Sequence, residues 1–531
     1  MEKVIRPAVV TAGGVCNGDG PPWVASEGDC AGMGQEVDRT TFSRHDRQRY
    51  RANVRRCLDA LTLMLREHPF DTDEPMTGLE VELNLVGGDL EPALLGVTVL
   101  DAIGAPEFQT ELGRWNLELN LPPRPLTGLQ WQLVEQQLLD ELAMVRAKAL
   151  DHGTRVAMIG ILPTLRDRHL VDEAISPDER YLVLNEQVLA GRGEPIRLDI
   201  AGGDVLATSP EHLVADFDSI APEAACTSMQ LHLQVPPESF PAYWNAAQCL
   251  AGVQLAVGAN SPFLLGARLW AETRIPLFEQ SCDVRPPELR NQGVRPRVWF
   301  GERWITSVLD LFAENSRYFP GLIPLTDDVD PLAELEAGRV PGLDELKLHN
   351  GTVWRWNRPV YDISGGLPHI RLENRVLPAG PTAVDMVANA LFFYGLLRVL
   401  VEDERPLWSY MSFDAAHENF TNAARSGLDA TLYWPGTGWI RPDELVLRKL
   451  LPMAAEGLER WGVAAEVCDR YLPVIERRCV TGRTGAAWQL DTVCALENRG
   501  ADRTAALHGM FTRYLEHSAT NEPVHAWPVP S

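Results

Sequence analysis

Four short segments of this chain alternate strictly with a two-residue period and carry unusual side chains on their polar face. In Glu80-Val81-Glu82-Leu83-Asn84-Leu85 the acids and the amide share one side and the aliphatics the other. Asn116-Leu117-Glu118-Leu119-Asn120-Leu121 repeats the pattern with Glu118 on the polar side, and Gln230-Leu231-His232-Leu233-Gln234-Val235 sets His232 between two glutamines. Arg371-Leu372-Glu373-Asn374-Arg375-Val376 sets Glu373 between two arginines. Such alternation marks half-buried strands. If the four share one sheet, its open face gathers Glu80, Glu82, Glu118, His232 and Glu373, with Arg371 and Arg375 at an edge. Carboxylates at cross-strand distance raise one another's pKa unless a cation neutralises them. Hard divalent ions with oxygen ligands, Mg²⁺ or Mn²⁺, answer that need, and arginines beside them suit phosphate. One histidine and no cysteine among the donors argues against zinc. The residues alone therefore reach a metal–phosphate site on an open sheet.

Other routes to nucleotide or hydrolytic chemistry lack their motifs. The sequence has no G-x-x-x-x-G-K-[ST], no G-x-G-x-x-G following a strand, no H-E-x-x-H and no G-x-S-x-G. Nucleotide, if bound, is expected on a metal–carboxylate platform rather than a phosphate loop.

The elements that must position these residues are helices between the strands. Tyr50, Val54, Cys57, Leu58, Leu61, Met64 and Leu65 predict a helix over 44–68. Leu129, Leu133, Leu138, Leu142 and Val145 predict a second, over about 127–151, with one apolar stripe and Gly153 as its stop. A third starts near Pro381 and Thr382, where Thr382 with Asp385 resembles a capping box. Beyond about Pro406 the pattern is almost wholly helical. The expected class is α+β, an antiparallel sheet with helices on one face. The division reads 1–37 as a leader (with Met33 as an alternative start), 38–404 as the catalytic domain, and 405–531 as a helical region packed on it.

The chain has 531 residues and a formal net charge of −25, with 73 acids against 48 bases, and is 45% hydrophobic. That apolar content supports a packed core, and the charge argues against nucleic-acid or anionic-membrane partners. The nine cysteines show no C-x-x-C spacing, and the longest apolar runs, 250–259 and 391–401, fall short of the roughly 20 residues that span a bilayer. A cytoplasmic protein acting on small molecules is the expectation. His349, Asn350 and the tryptophans Trp299, Trp304, Trp354 and Trp356 read as packing residues.

The motifs, in order, resemble the glutamate–cysteine ligase and carboxylate–amine ligase family of GCS2 type. Thr77–Glu82, TGLEVE, is similar to its G-[VIL]-E-x-E opening strand; Glu111–Pro122, ELGRWNLELNLP, resembles its second acidic strand. Thr227–Val235 resembles the histidine-bearing strand, Gly258–Phe263 the A-N-S-P-F turn, and Thr273-Arg274 a nearby T-R pair. VWRWNRP, ending at Pro359, with His369–Thr382, HIRLENRVLPAGPT, resembles the R-P and E-x-R strands and the helix that follows. Glu418–Ala430, ENFTNAARSGLDA, looks like the E-N-x-x-x-A-x-x-x-G-L-D-A helix.

The resemblance implies a glutamine-synthetase-like catalytic fold and ATP- and Mg²⁺-dependent ligation. A carboxylate, usually the glutamate side chain, is activated as an acyl phosphate and captured by an amine, usually that of cysteine. It further implies Glu80, Glu82, Glu118, His232 and Glu373 as metal ligands, Arg375 as the residue stabilising the transferring phosphoryl group, and Arg358 and Arg274 as holders of ATP phosphate or substrate carboxylate. Glu111 enters through the resemblance alone, as a metal partner or the base that deprotonates the amine. The Leu372–Arg375 strand and the insert around 317–348 depart from the cysteine-ligating branches. An acceptor other than cysteine therefore stays open, as does a non-catalytic nucleotide or amino-acid sensor.

Overall fold

The computed structural model describes residues 41–530 apart from 73, 204–210 and 328. The expected leader lies outside the described residues. Seven strands form the central sheet: β1 (Met76–Val86), β2 (Phe108–Thr110), β3 (Asn116–Pro125), β4 (Arg155–Ala157), β5 (Met229–Gln234), β6 (Asn357–Ser364) and β7 (Leu367–Asn374). Their order is β6-β7-β5-β1-β3-β2, with β4 beside the C-terminal end of β1, and every pairing is antiparallel. The four alternating segments are thus the adjacent central strands β7, β5, β1 and β3. β6 and β7 join through Gly365-Gly366, whose φ values of 57° and 82° meet the left-handed requirement of a two-residue hairpin turn.

The aliphatic face (Leu79, Val81, Leu83, Leu117, Leu119, Leu231, Leu233 and Leu372) is buried under helices. Those named below are α1 (Arg44–Glu67), α2 (Gln130–Asp151), α3 (Glu179–Arg192), α4 (Phe240–Gly258), α5 (Val308–Tyr318), α6 (Ala383–Glu402), α7 (Phe413–Ser426) and α8 (Ala465–Thr481). Polar pegs fix α2 and α4 to that face. Trp131 Nε1 of α2 donates to Thr77 Oγ1 at 3.2 Å, and Gln254 of α4 exchanges hydrogen bonds with Asn374 at 3.0 and 3.1 Å. Asn374 also reaches Asn357 (2.7 Å), which donates to Gln248 at 2.7 Å, so buried amides under the β6–β7 hairpin satisfy one another. α6 packs against α2 and α4. By length and composition this twenty-residue helix is apolar enough to cross a membrane, but it is a core helix of this fold, mostly buried.

Two expectations are corrected. On α2 the buried stripe is Trp131, Val134, Leu138, Leu142, Val145 and Ala149, while Leu129 and Leu133 are half exposed. The helix begins at Gln130 rather than Thr127, because the Gly128 N–H donates to the Gly462 carbonyl (2.8 Å), and Trp131 sets the phase. The region past 405 is almost wholly helical, as expected, with one hairpin of Leu432–Trp434 and Gly438–Ile440. It is tied tightly to the rest. α7 packs on α4, Arg478 of α8 pairs with Asp385 at the start of α6 (2.7 Å), and Tyr514 accepts from Asn260 (2.8 Å) while donating to the Met158 carbonyl (2.7 Å). The insert packs its short helices on α1, where Asn53 donates to Glu345 at 2.8 Å.

Candidate active site

The register decides which polar residues meet. Glu82 lies opposite Glu118, Glu80 opposite both Asn120 and Gln230, and Glu373 opposite His232 on one side and Arg358 on the other. Gly78 faces His232 across the β1–β5 pair.

At one end of the face Glu82, Glu111 and Glu118 converge, with one carboxylate oxygen from each within 4.8 Å of the other two. Glu111 arrives from the loop after β2, its carbonyl held by the Ser176 hydroxyl. Glu82 accepts from the Ser228 N–H (2.7 Å), the Ser228 hydroxyl (2.8 Å) and Gln230 Nε2 (3.0 Å). Burial and repulsion then compete with these bonds. Burial, and after it the charge of Glu80, pushes Glu118 up to about 7. Burial, with the charges of Glu118 and Glu82, lifts Glu111 well above the usual carboxylate range. Burial also raises Glu82 despite Arg375 and Ser228. Three crowded carboxylates, raised by burial and by one another's charge, offer hard oxygen donors that fit a divalent cation of the Mg²⁺ or Mn²⁺ kind.

At the other end the charges are matched. Glu373 accepts from Arg358 Nη2 (2.8 Å) and Arg375 Nη1 (3.0 Å), and although burial opposes it, those two guanidiniums hold its carboxyl well below the usual range. Arg375 also donates to Gln230 at 3.0 Å. His232 Nε2 stands 2.9 Å from Glu80 Oε1; burial would raise Glu80, but the imidazole brings it below its ordinary value. Arg358 Nη1 is buried without a hydrogen-bond partner among the described residues, a donor left over on the polar face.

A family model, that of glutamate-cysteine ligase family 2 (GCS2), matches residues 76–512. The chain belongs to that family. It is accordingly a carboxylate–amine ligase, an enzyme that forms a carbon–nitrogen bond. Among solved structures the glutamate–cysteine ligase of Francisella tularensis, in complex with AMP, is similar with a TM-score of 0.52 and 12% identity, covering 87% of this chain and 91% of that one. The bifunctional glutathione synthetase of Pasteurella multocida gives 0.45 and 14%, over 87% of this chain and 54% of that one. The ligase PafA in complex with the ubiquitin-like protein Pup gives 0.35 and 10%, over 80% and 69%. At 12% identity the likeness to the first of these is one of fold. No curated protein matches the sequence.

Within this ligase fold two expected arginines spend their guanidiniums on neighbouring groups, although the Arg274 charge still reaches Glu82. Arg274 spends its guanidinium on Glu272 (2.7 Å) and the Val376 carbonyl (2.8 Å), because Glu272, fully buried, anchors the Asn260-Ser261 turn and needs a cation. Arg371 bonds His369 (2.8 Å) and Asp362 (3.3 Å) further along the hairpin. His349 and Asn350 are packing residues, contacting the carbonyls of Asn315 (3.0 Å) and Pro359 (2.7 Å).

Other residues around the site had not been singled out. Ser228 and Gln230 share the face of His232 at two-residue steps, so the alternation that selected the histidine also marks them. Arg180 and Tyr181 of α3 carry no such signal. The Tyr181 hydroxyl donates to the Thr110 carbonyl at 3.1 Å and accepts from Arg180 at 2.5 Å, and burial together with the Glu111 charge lifts it well above its usual value. Glu223, in the turn before β5, is pushed up to about 8 by burial and the charge of Glu82.

Proposed function

We propose that this ligase is ATP-dependent, activating the side-chain carboxylate of glutamate or a close analogue and joining it to the amine of an amino acid, cysteine being the first candidate. The observation that carries the reading is the division of one sheet face into a crowded acidic end, Glu82 with Glu111 and Glu118, and an arginine-bearing end, Arg358 and Arg375 around Glu373. The acidic trio, with Glu80, His232 and Glu373 as further donors, would hold Mg²⁺ or Mn²⁺, which supplies charge neutralisation for phosphate oxygens.

The chain's own residues supply the rest. Arg375 and the spare Nη1 of Arg358 present donors where the γ-phosphoryl group gathers charge as the substrate carboxylate oxygen attacks phosphorus and ADP leaves. The amine nitrogen then attacks the activated carbonyl carbon, phosphate departs, and a proton leaves the nitrogen. Glu111, which a loop brings to the edge of the acidic end, is the candidate to accept it. Arg274 serves from behind, keeping the turn at Asn260 and the strand after β7 in place. The absence of disulfides among the seven described cysteines supports a reducing, cytoplasmic setting.

The test is phosphate release from Mg²⁺-ATP with glutamate, with and without cysteine. Release that needs both amino acids is expected. Release only with another amine would move the acceptor, and nucleotide binding without release across a broad amine screen would favour a sensor. Glu82→Gln should abolish turnover while the fold persists; wild-type rates in that variant would overturn the site assignment.

A further inference from the structure

Away from the sheet face, a groove of about 180 Å³ runs between α5 and the segment that carries Arg295, Glu302 and Arg303. α5 presents Asp310, Ala313, Glu314 and Arg317 to it at helical spacing, and Tyr318 closes one end. Three arginines and three acids line it, but the acids are already committed. Asp310 caps α5, accepting from the N–H groups of Thr306 (2.9 Å) and Ser307 (3.1 Å). Glu314 is paired at 3.0 Å with the fully buried Arg355, and Glu302 is paired with Arg295.

The arginines are not committed to the same degree. Arg303 makes no hydrogen bond or ion pair with any described residue, and Arg317 reaches only the Tyr318 hydroxyl. Arg295 lies 3.6 Å from the centre of the Tyr318 ring and 5.4 Å from that of Trp299. Its Nη1 is buried without a hydrogen bond, 3.6 Å from Glu314. Arg303 and Arg317 are thus two cations in one groove without a carboxylate partner among the described residues.

We propose that this groove is an anion-binding site, taking a small multivalent oxyanion between Arg303 and Arg317 with Arg295, stacked on Tyr318, as a third donor. Planar guanidiniums suit the oxygens of phosphate and of carboxylate alike. The site is separate from the acidic centre and does not depend on the ligase reading.

Isothermal titration of the full chain at low salt, without metal or nucleotide, tests it with two probes: pyrophosphate for phosphate chemistry and citrate for carboxylate chemistry. Saturable one-to-one binding of at least one is expected, weakened by about tenfold or more in the Arg303→Ala/Arg317→Ala variant, since hydrogen bonds to charged groups are worth that much. The melting temperature of that variant should stay within a few degrees of wild type, which establishes that it folds. An anion held instead by the sheet-face arginines would bind the double variant unchanged. That result, or no saturable binding of either probe to the wild-type chain, overturns the proposal.

Discussion

Glu118→Gln tests the acidic end of the sheet most directly, because removing one charge there should stabilise the protein while removing its response to metal. Two unit charges 4.8 Å apart, the outer limit for the donor oxygens of Glu82, Glu111 and Glu118, repel by about 3.5 kcal/mol at an effective dielectric constant near 20. The shift of Glu118 to about 7, caused first by burial and then by the charge of Glu80, corresponds to about 3 kcal/mol for holding that charge in the site. The sign follows from proton binding. A carboxyl whose folded-state pKa is raised holds its proton more tightly when folded, so its contribution to stability falls as pH climbs from its ordinary value to about 7 and stays lost above. Glutamine keeps the acceptor used by Asn120, 2.8 Å away, without the charge. At pH 8 and free of divalent ions, the variant should melt about 3 °C above wild type, since a chain of this length has an unfolding entropy near 1 kcal/mol per degree. Saturating Mg²⁺ should then raise the wild-type melting temperature by a comparable amount, about 2.7 kcal/mol at a hundredfold excess over Kd, and the variant's by less than half of that. Differential scanning fluorimetry with and without Mg²⁺ reads both effects. A metal-free variant melting at or below wild type, with an unchanged Mg²⁺ response, would refute the cation seat.

Three further outcomes follow from the same contacts. Glu373→Gln strands Arg358 and Arg375 and should cost about 3–5 kcal/mol along with turnover; because the carboxyl is held low in the folded state, this contribution is present above the ordinary glutamate range and is lost in acid, so wild type and variant should converge in melts toward pH 3. Arg274→Lys should lower the melting temperature yet leave the KM for ATP within about twofold, a lost charge-assisted bond being worth about 1.5–3 kcal/mol; a large rise in KM at unchanged stability would return Arg274 to the nucleotide. Asp385→Asn weakens the buried pair with Arg478 and the cap on the Val524 N–H, and hydrogen exchange should accelerate first at Val524 and in the residues after 518.

What was legible in advance followed from local rules. A strand must alternate, so Glu80, Glu82, Glu118, His232 and Glu373 declared a common face without any knowledge of their neighbours, and α1 appeared where its apolar spacing put it. The stripe on α2 went wrong for the reciprocal reason. Leucine spacing permits more than one helical phase, and the bond from Trp131 to Thr77 across the layer chose one that leaves Leu129 and Leu133 half exposed. Arg274 has the type of a phosphate ligand, but its use depends on a fully buried glutamate two residues before it needing a cation.

The division holds at the site itself. The sequence by itself determined which residues would be polar on the sheet's open face, because backbone pleating converts a two-residue period into two sides. Only the tertiary structure decided which of them meet. Register sets Glu82 against Glu118 and Glu373 against His232 and Arg358, a loop brings in Glu111, and α3 brings Arg180 and Tyr181. Electrostatic pairing acts over a few ångströms in space, and separation along the chain carries no record of it.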